Sequence, residues 1–308
     1  MIDILMATYN GEKYIEQQIE SILKQTYNEW KLYIRDDGST DSTIEIIEKY
    51  AAEYSDKIII VKDSKKGLGA KLNFAELIKY STNEYCMFSD QDDVWLENKI
   101  ELTLNTMSDM EQKFGKLIPI LVHTDLKVVN KELDVINASF WNYQNLDPNR
   151  KKLNDLLVQN NVTGCTMMIN KKLIDLSQDM PKECIMHDWW IALIASTFGK
   201  IGAISIPTIL YRQHGNNEVG AHKYRSLKFI KNKIYNIKKI KTSINDAIVQ
   251  SKCFYDMFIK YFNEDQEELI NNFYNIKKNN FIKRRLIILK NKLLKQGKVR
   301  VIAYLVLV

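Results

Sequence analysis

Three carboxylates within four positions are the first residues in this sequence that could do chemistry. Asp90, Asp92 and Asp93 follow a short apolar run in the stretch CMFSDQDDVWL. Like charges at the end of a buried strand repel each other and lose part of their hydration, so they need a compensating charge. Mg²⁺ and Mn²⁺ favour carboxylate oxygens and keep positions open for phosphate oxygens and water. The pattern therefore indicates a divalent-metal site, although a lone DxD is more often a solvated acidic turn.

Two further polar stretches follow apolar runs in the same way. ATYNGE comes at the end of IDILMAT, and RDDGSTD comes at the end of KLYIRDD. Short β-like runs alternate with amphipathic helical runs through this part of the chain, which predicts βαβ units and an α/β fold with a mainly parallel sheet flanked by helices. Because ligands bind beyond the carboxyl ends of the strands in such sheets, we expect the polar stretches to gather at one site.

The composition is that of a globular protein. Hydrophobic residues make up 45% of the 308 positions and charged residues 27%, which excludes disorder. The four cysteines are scattered without a C-x-x-C pair, which predicts neither a zinc site nor a disulfide framework. The N-terminus lacks the features of a signal peptide, and no apolar run reaches the length of about 18 residues that a membrane span needs. We expect the protein to stay in the cytoplasm.

The charge is divided unevenly along the chain. Residues 221–308 contain 20 Lys and Arg against 6 Asp and Glu, whereas residues 1–220 contain 24 against 32. We therefore predict a catalytic domain over 1–220 and a basic helical region over 221–308. The basic stretches YRSLKFIKNKIYNIKKIKTSI and FIKRRLIILKNKLLKQGKVRV carry apolar residues near helical spacing. Such helices are typical of association with an anionic membrane surface, although packing on the catalytic body is the alternative. No nucleic-acid motif is present, and we expect no nucleic acid as a partner.

Several stretches resemble one known family. ATYNGEKYIEQQIESILKQTY, RDDGSTDST and FSDQDDVWLENKI resemble the family 2 glycosyltransferases, which have the Rossmann-like GT-A fold. VTGCTMMIN, HDWWIALIA and YRQHGNN are similar to the bacterial rhamnosyltransferase branch. The resemblance implies a metal-dependent, inverting transfer of L-rhamnose from dTDP-L-rhamnose to an acceptor hydroxyl in bacterial surface polysaccharide synthesis. Another UDP- or dTDP-hexose donor is the near alternative.

The resemblance also assigns roles by position. Asp188 stands where the family keeps its general base, and the implied ligands of Mg²⁺ or Mn²⁺ are Asp92 and His214. The implied nucleotide-sugar contacts are Thr8, Tyr9, Asn10, Asp37, Lys71, Asn73, Asp90 and Gln91. The implied acceptor or sugar pocket contains His187, Trp189 and Trp190.

Two positions depart from the family pattern. Asp93 adds a third acid, so which two of the three carboxylates face the metal is open. The base motif usually begins with an acid and here reads His187-Asp188. Without the resemblance, Asp188 is equally suited to cap a helix whose tryptophans fill the core. Lys71 is then typical of a surface turn, and His214 of a structural histidine.

The implied partners follow from the same resemblance. They are a dTDP- or UDP-sugar donor, a lipid-linked oligosaccharide acceptor and an anionic membrane surface, with the protein peripheral on the inner face of the cell membrane. Two other classes stay open. The run CMFSDQDDV also fits the D-x-D-x-[TV] signature of haloacid-dehalogenase phosphatases, although that signature normally follows the first strand. A non-catalytic carbohydrate- or lipid-binding protein is the third possibility.

Overall fold

Strands and helices alternate through the first ninety residues, as the sequence predicted. The computed structural model describes residues 1–214, 221 and 237–308. The first elements are β1 (Ile2–Thr8), α1 (Ile15–Leu23), β2 (Trp30–Asp36), α2 (Thr43–Glu53), β3 (Ile58–Ile60), α3 (Gly69–Leu77) and β4 (Tyr85–Ser89). Ile4 and Leu5, which are neighbours on β1, are fully buried in two different core clusters. Successive side chains of a strand point to opposite faces, so β1 is covered on both sides.

The second part of the sheet is built from longer and less regular segments. Its elements are β5 (Val94–Trp95), α4 (Lys99–Phe114), β6 (Ile120–Val129), β7 (Val135–Asn137), α5 (Phe140–Gln144), α6 (Leu153–Val158), β8 (Met167–Asn170), α7 (Lys171–Ser177), α8 (His187–Phe198) and β9 (Lys200–Arg212). A short 3₁₀ turn over Gly164–Thr166 leads directly into β8.

The sheet is mixed, and its topology brings distant residues to one edge. The strand order is β3-β2-β1-β4-β8-β6-β9-β5, with β7 paired to β6. The pairings among β1–β4 are parallel, whereas β8 runs antiparallel between β4 and β6. Because β9 is parallel to β6, the ends of β1, β2, β4 and β9 and the start of β8 all meet at the same edge. Ligands are expected at this edge.

Four described helices follow the sheet. They are α9 (Ile237–Phe258), α10 (Glu264–Tyr274), α11 (Phe281–Lys290) and α12 (Lys298–Leu307). The side chains of Asn263 and Asn280 cap the starts of α10 and α11 by accepting hydrogen bonds from backbone N–H groups in the first turn, which supplies partners that a helix start otherwise lacks. Among the described residues, no helix is both long enough and apolar enough to cross a bilayer.

These C-terminal helices share a core with the sheet. The ring of Phe254 in α9 meets the ring of Trp190 in α8 edge to face at 5.4 Å, and Phe258 lies 5.4 Å from Phe198. Phe254 and Trp190 belong to the same buried cluster as Leu5 of β1. The charge of the chain changes near residue 220, but the hydrophobic core continues across that point. Most of the first basic stretch and the end of YRQHGNN lie outside the described residues.

Truncation of Phe254 should therefore destabilise the whole chain. We expect Phe254→Ala to lower the free energy of unfolding by about 3–5 kcal/mol, because a fully buried aromatic ring leaves a cavity. Urea titration followed by circular dichroism and by tryptophan fluorescence should show one shifted transition with both probes. Val249→Ala on the same helix is the matched control, since Val249 is half exposed. Separate early melting of helical signal, with an unchanged fluorescence transition, would contradict a shared core.

Candidate active site

A cleft of about 520 Å³ opens at the sheet edge where the strand ends meet. The predicted site residues along its lining are Thr8, Tyr9, Asp37, Asn73, Asp90, Gln91, Asp92, His187 and Asp188. Thr163 and Gly164 before β8 also line it, as does Tyr211 of β9. The three polar stretches that the sequence pointed to are thus brought together by the topology.

Gln91, the middle residue of the DQD run, ties β4 to the end of β1. The backbone N–H of Tyr9 donates to Gln91 Oε1 at 2.9 Å, and Gln91 Nε2 donates back to the Tyr9 carbonyl at 2.9 Å. A Cβ atom at Gly11 would lie 2.3 Å from Gln91 Oε1, so this approach requires glycine. The side chain of Gln91 is therefore engaged with the backbone, which fixes the acids on either side of it relative to β1.

The two acids of RDDGSTD hold the loops around the cleft. Asp36 accepts hydrogen bonds from the N–H groups of Gly38 and Ser39 at 2.9 and 2.7 Å, which organises the turn. Asp37 accepts from the N–H groups of Leu68 and Gly69 at 3.0 and 2.7 Å. A carboxylate can accept more than two hydrogen bonds, so Asp37 anchors the loop before α3 and still lines the cleft.

Asn10 closes the same turn from the other side. Its backbone N–H donates to Ser39 Oγ at 2.8 Å, and its side-chain oxygen accepts from the N–H of Thr40 at 2.9 Å. The φ angle of Asn10 is 48°, a left-handed conformation that asparagine tolerates better than most residues. Asn10 is thus placed beside the cleft, in contact with the RDDGSTD turn.

A buried arginine holds Asn73 and Asp37 in place. Arg35 forms a two-pronged ion pair with Asp63, with N–O distances of 2.8 and 2.9 Å, and its remaining nitrogen donates to Asn73 Oδ1 at 3.0 Å. The amide of Asn73 donates back to the carbonyl of Arg35 at 3.2 Å.

Lys71 points away from the cleft: its ammonium donates to the carbonyls of residues 182 and 184 just ahead of α8. In this structure Lys71 joins α3 to the loop before α8 and does not line the cleft.

Two of the three acids after β4 face the cleft. Asp90 and Asp92 line it, whereas Asp93 is fully buried. Burial, together with the charges of Asp92 and Asp188, raises the pKa of Asp90 to about 7. Asp92 Oδ2 lies 2.7 Å from His214 Nε2, and the ring of His214 stacks on Tyr14. The structure therefore brings the two predicted metal ligands into direct contact.

Asp93 points into the protein, where a small polar set surrounds it. Its Oδ1 accepts from the backbone N–H of Arg212 at 3.1 Å, and its Oδ2 has no hydrogen-bond partner among the described residues. Ligand atoms of Asp90, Asp93 and Cys165 lie within 4.8 Å of one another. Burial lowers the pKa of Lys99 to about 8, although the charges of Cys165 and Asp93 act to raise it. Lys99 is thus a buried cation that feels the charge of Asp93.

Asp188 reaches the cleft from the first turn of α8. Its carboxylate accepts from the N–H of Gly164 at 3.1 Å and from the N–H of Trp189 at 2.5 Å. Burial raises the pKa of Asp188 to about 7, because the loss of hydration has a larger effect than the two hydrogen bonds, which lower the pKa. Met186, not Asp188, occupies the N-cap position. A carboxylate with a raised pKa, held in a cleft by two backbone donors, is suited to take up a proton near neutral pH.

The neighbours of Asp188 differ from the expected acceptor pocket. Trp190 is fully buried in the core against Phe254, so the expectation that it contacts a sugar is wrong. The indole N–H of Trp189 donates to the carbonyl of Leu156, and this ring does not line the cleft. His187 does line the cleft, and burial lowers its pKa to about 3. The positions of Trp189 and Trp190 on α8 thus direct both rings away from the cleft.

Arg212 is a site residue that sequence reasoning missed. Its Nε–H donates to the backbone carbonyl of Asp92 at 2.8 Å, and its guanidinium lies 4.6 Å from the ring centre of Tyr14. Another of its nitrogens donates to Gln17 Oε1 at 2.7 Å. Arg212 therefore joins β9 to α1 and to the DQDD turn. The available signal was its position in YRQHGNN, two residues before His214.

Comparison with known proteins identifies the family. Residues 3–176 match the model of Glycosyl transferase family 2. The dTDP-rhamnosyl transferase RfbG of Shigella flexneri is 32% identical over 261 residues, which cover 79% of this chain and 84% of RfbG. The UDP-Glc:alpha-D-GlcNAc-diphosphoundecaprenol beta-1,3-glucosyltransferase WfgD of Escherichia coli is 36% identical over 109 residues, or 35% of this chain and 41% of WfgD.

A solved structure shows the same fold. The mannosyltransferase PcManGT from Pyrobaculum calidifontis in complex with GDP-Man and Mn²⁺ superposes with a TM-score of 0.55 at 14% identity, over 94% of this chain and 72% of that chain. The predicted GT-A fold is thereby confirmed, and the haloacid-dehalogenase alternative is wrong. The protein is a glycosyltransferase. By the family match and by its similarity to RfbG over most of both chains, it belongs to glycosyl transferase family 2.

Proposed function

We propose that this enzyme transfers L-rhamnose from dTDP-L-rhamnose, with inversion, to a hydroxyl of a lipid-linked glycan in bacterial surface polysaccharide synthesis. The observation that carries the proposal is that Asp188 lines the same cleft as Asp90 and Asp92. A glycosyltransferase of this kind needs a base for the acceptor and a cation-binding group for the donor diphosphate, side by side. The similarity to RfbG, a dTDP-rhamnosyl transferase, supports the donor. The similarity to WfgD, a glucosyltransferase named for an alpha-D-GlcNAc-diphosphoundecaprenol, supports the acceptor class.

The acidic side of the cleft fits a divalent cation. Burial and mutual repulsion disfavour the ionised forms of the acids, and a dication would relieve that cost. The donor set of Asp92, His214 and Asp90 consists of oxygens and one imidazole nitrogen, which suits Mn²⁺ or Mg²⁺. When bound, the ion would neutralise charge on the diphosphate leaving group. The Mn²⁺ in the PcManGT complex supports the same choice.

The chain's own residues supply orientation and proton transfer. Asp37, Thr8 and Tyr9 line the part of the cleft at the ends of β1 and β2, where we assign the nucleotide. Asp188 accepts the proton of the acceptor hydroxyl as its oxygen bonds to the anomeric carbon. The bond from that carbon to the diphosphate oxygen breaks, and its electron pair leaves with dTDP. Attack opposite the leaving group inverts the anomeric centre.

Thermal stabilisation by the donor is the first test of this proposal. With dTDP-L-rhamnose and Mn²⁺, a ligand at 100 times its dissociation constant should stabilise the protein by about 2.7 kcal/mol. We expect the donor to raise the melting temperature of wild type. EDTA should abolish this rise, and Asp92→Asn should not show it. Asp109→Asn, at an exposed position of α4, is the matched control. A larger response to a UDP-hexose would overturn the rhamnose assignment, and no response to any nucleotide sugar would contradict donor binding in this cleft.

Substitution of the base should separate binding from chemistry. We expect Asp188→Asn to lower the rate of sugar transfer by about 10²–10⁴-fold, because proton removal is lost while the shape is kept. Stabilisation by dTDP-rhamnose should stay within the error of wild type. Transfer is measured with labelled donor and a lipid-linked acceptor, and Asp179→Asn, at an exposed nearby position, is the control. Equal rates of transfer by wild type and Asp188→Asn would show that Asp188 is not the base.

A further inference from the structure

Two C-terminal helices expose large apolar side chains. On α11 these are Phe281, Ile282, Leu286 and Leu289, and on α12 they are Ile302 and Val306; each is between 57% and 71% exposed. At 3.6 residues per turn, the four on α11 fall within an arc of about 140°. Ile302 and Val306 are four residues apart and so share a face. We call these six residues the apolar face. Contiguous exposed apolar patches mark interaction sites more often than single exposed residues do.

Two arginines bind the helices together beside this face. The guanidinium of Arg285 lies 3.5 Å from the ring centre of Phe281, and its nitrogens donate to the carbonyls of Leu305 and Val306. Arg284 donates to the carbonyl of Val308 at 3.2 Å. Cations at a helix C-terminus stabilise the carbonyls that lack intrahelical partners. The exposed residues of α11 and of α12 therefore belong to one surface held in a fixed geometry.

The surroundings of the apolar face are mainly cationic, although Lys290 of α11 is paired with Glu268. From Leu269 to Val308 the sequence contains no Asp or Glu. Its cations over that range are Lys277, Lys278, Lys283, Arg284, Arg285, Lys290, Lys292, Lys295, Lys298 and Arg300. A groove of about 790 Å³ reaches Ile302 of the apolar face, and its lining includes Lys152, Lys292, Lys295 and Lys298. Arg150 also lines it but is paired with Asp155. Apolar side chains thus stand next to a concave, positively charged surface.

We infer that the apolar face docks on an anionic lipid bilayer, with the lysine-lined groove turned toward the lipid phosphates. Burial of apolar side chains in the acyl boundary and attraction to anionic headgroups are the two terms that hold amphipathic helices at membranes. A second copy of the chain fits less well, because a two-fold contact would bring the cationic rims together. The inference rests on the proposed function for its purpose, since a lipid-linked acceptor lies at such a surface.

Vesicle sedimentation of the full chain tests this docking. Wild type should bind vesicles of phosphatidylcholine and phosphatidylglycerol, bind phosphatidylcholine alone at least about 10-fold more weakly, and lose affinity as salt rises. We expect Leu286→Ser/Leu289→Ser to lower affinity by about 10-fold or more, because each lost apolar side chain weakens insertion. Val135→Ser/Ile136→Ser, at comparably exposed positions of β7, is the matched control and should bind as wild type does.

Charge reversal in the lysine-lined groove provides a second, independent test of the docking. Lys292→Glu/Lys298→Glu should lose the preference for anionic vesicles, and Lys113→Glu/Lys116→Glu, equal in charge change and remote in sequence, should keep most of it. The docking is overturned if the Leu286/Leu289 pair binds like its control, or if light scattering shows that these substitutions break a dimer instead. Donor stabilisation is measured on the same samples. Vesicle binding without any response to nucleotide sugars would support the docking surface and contradict the proposed function. A response to nucleotide sugars without vesicle binding would leave the proposed function standing and contradict the docking surface.

Discussion

The repulsion among the three carboxylates after β4 is the constraint on which the rest of the site depends. Asp93 is buried and accepts from the N–H of Arg212, whereas Asp90 and Asp92 line the cleft. Ligand atoms of Asp90 and Asp93 nevertheless lie within 4.8 Å of each other. Asp93 thus has one backbone donor from Arg212. Asp92 lies against the imidazole of His214, and the proposed dication with bound phosphates would offset the charge of the two acids that line the cleft.

The surrounding loops are arranged so that this charged edge keeps its shape. Gln91 is clamped to the backbone of Tyr9, and Asp37 holds the backbone of Leu68 and Gly69. These bonds join segments that are far apart in sequence, so the cleft is formed by tertiary contacts more than by any single loop. Asp188 comes from a separate helix and is held by Gly164. Asp188 and the acids after β4 are therefore positioned by different elements, and the charge of Asp188 still contributes to the raised pKa of Asp90.

Local pattern was enough to predict the alternating elements and the polar strand ends, because strand alternation and helix periodicity are set by neighbouring residues. Local pattern failed to predict where a side chain points when that direction depends on tertiary packing. Trp190 comes two residues after Asp188, yet the turn of α8 sends its ring into the core against Phe254. Lys71 follows the glycine-rich loop, yet it reaches the carbonyls before α8. Arg212 and Cys165 join the acids because β9 ends and β8 begins at the edge where β4 ends, a topology that spacing alone does not encode.

The coupling between metal and nucleotide tests the central claim most directly. Binding of Mn²⁺ to the purified protein can be followed by electron paramagnetic resonance, with and without saturating dTDP. If the acids hold a cation that in turn holds the diphosphate, dTDP should tighten Mn²⁺ binding by about 10-fold or more, and Mn²⁺ should tighten dTDP binding by the same factor. Asp92→Asn should remove this coupling. Equal Mn²⁺ affinity in the presence and absence of dTDP would contradict the account.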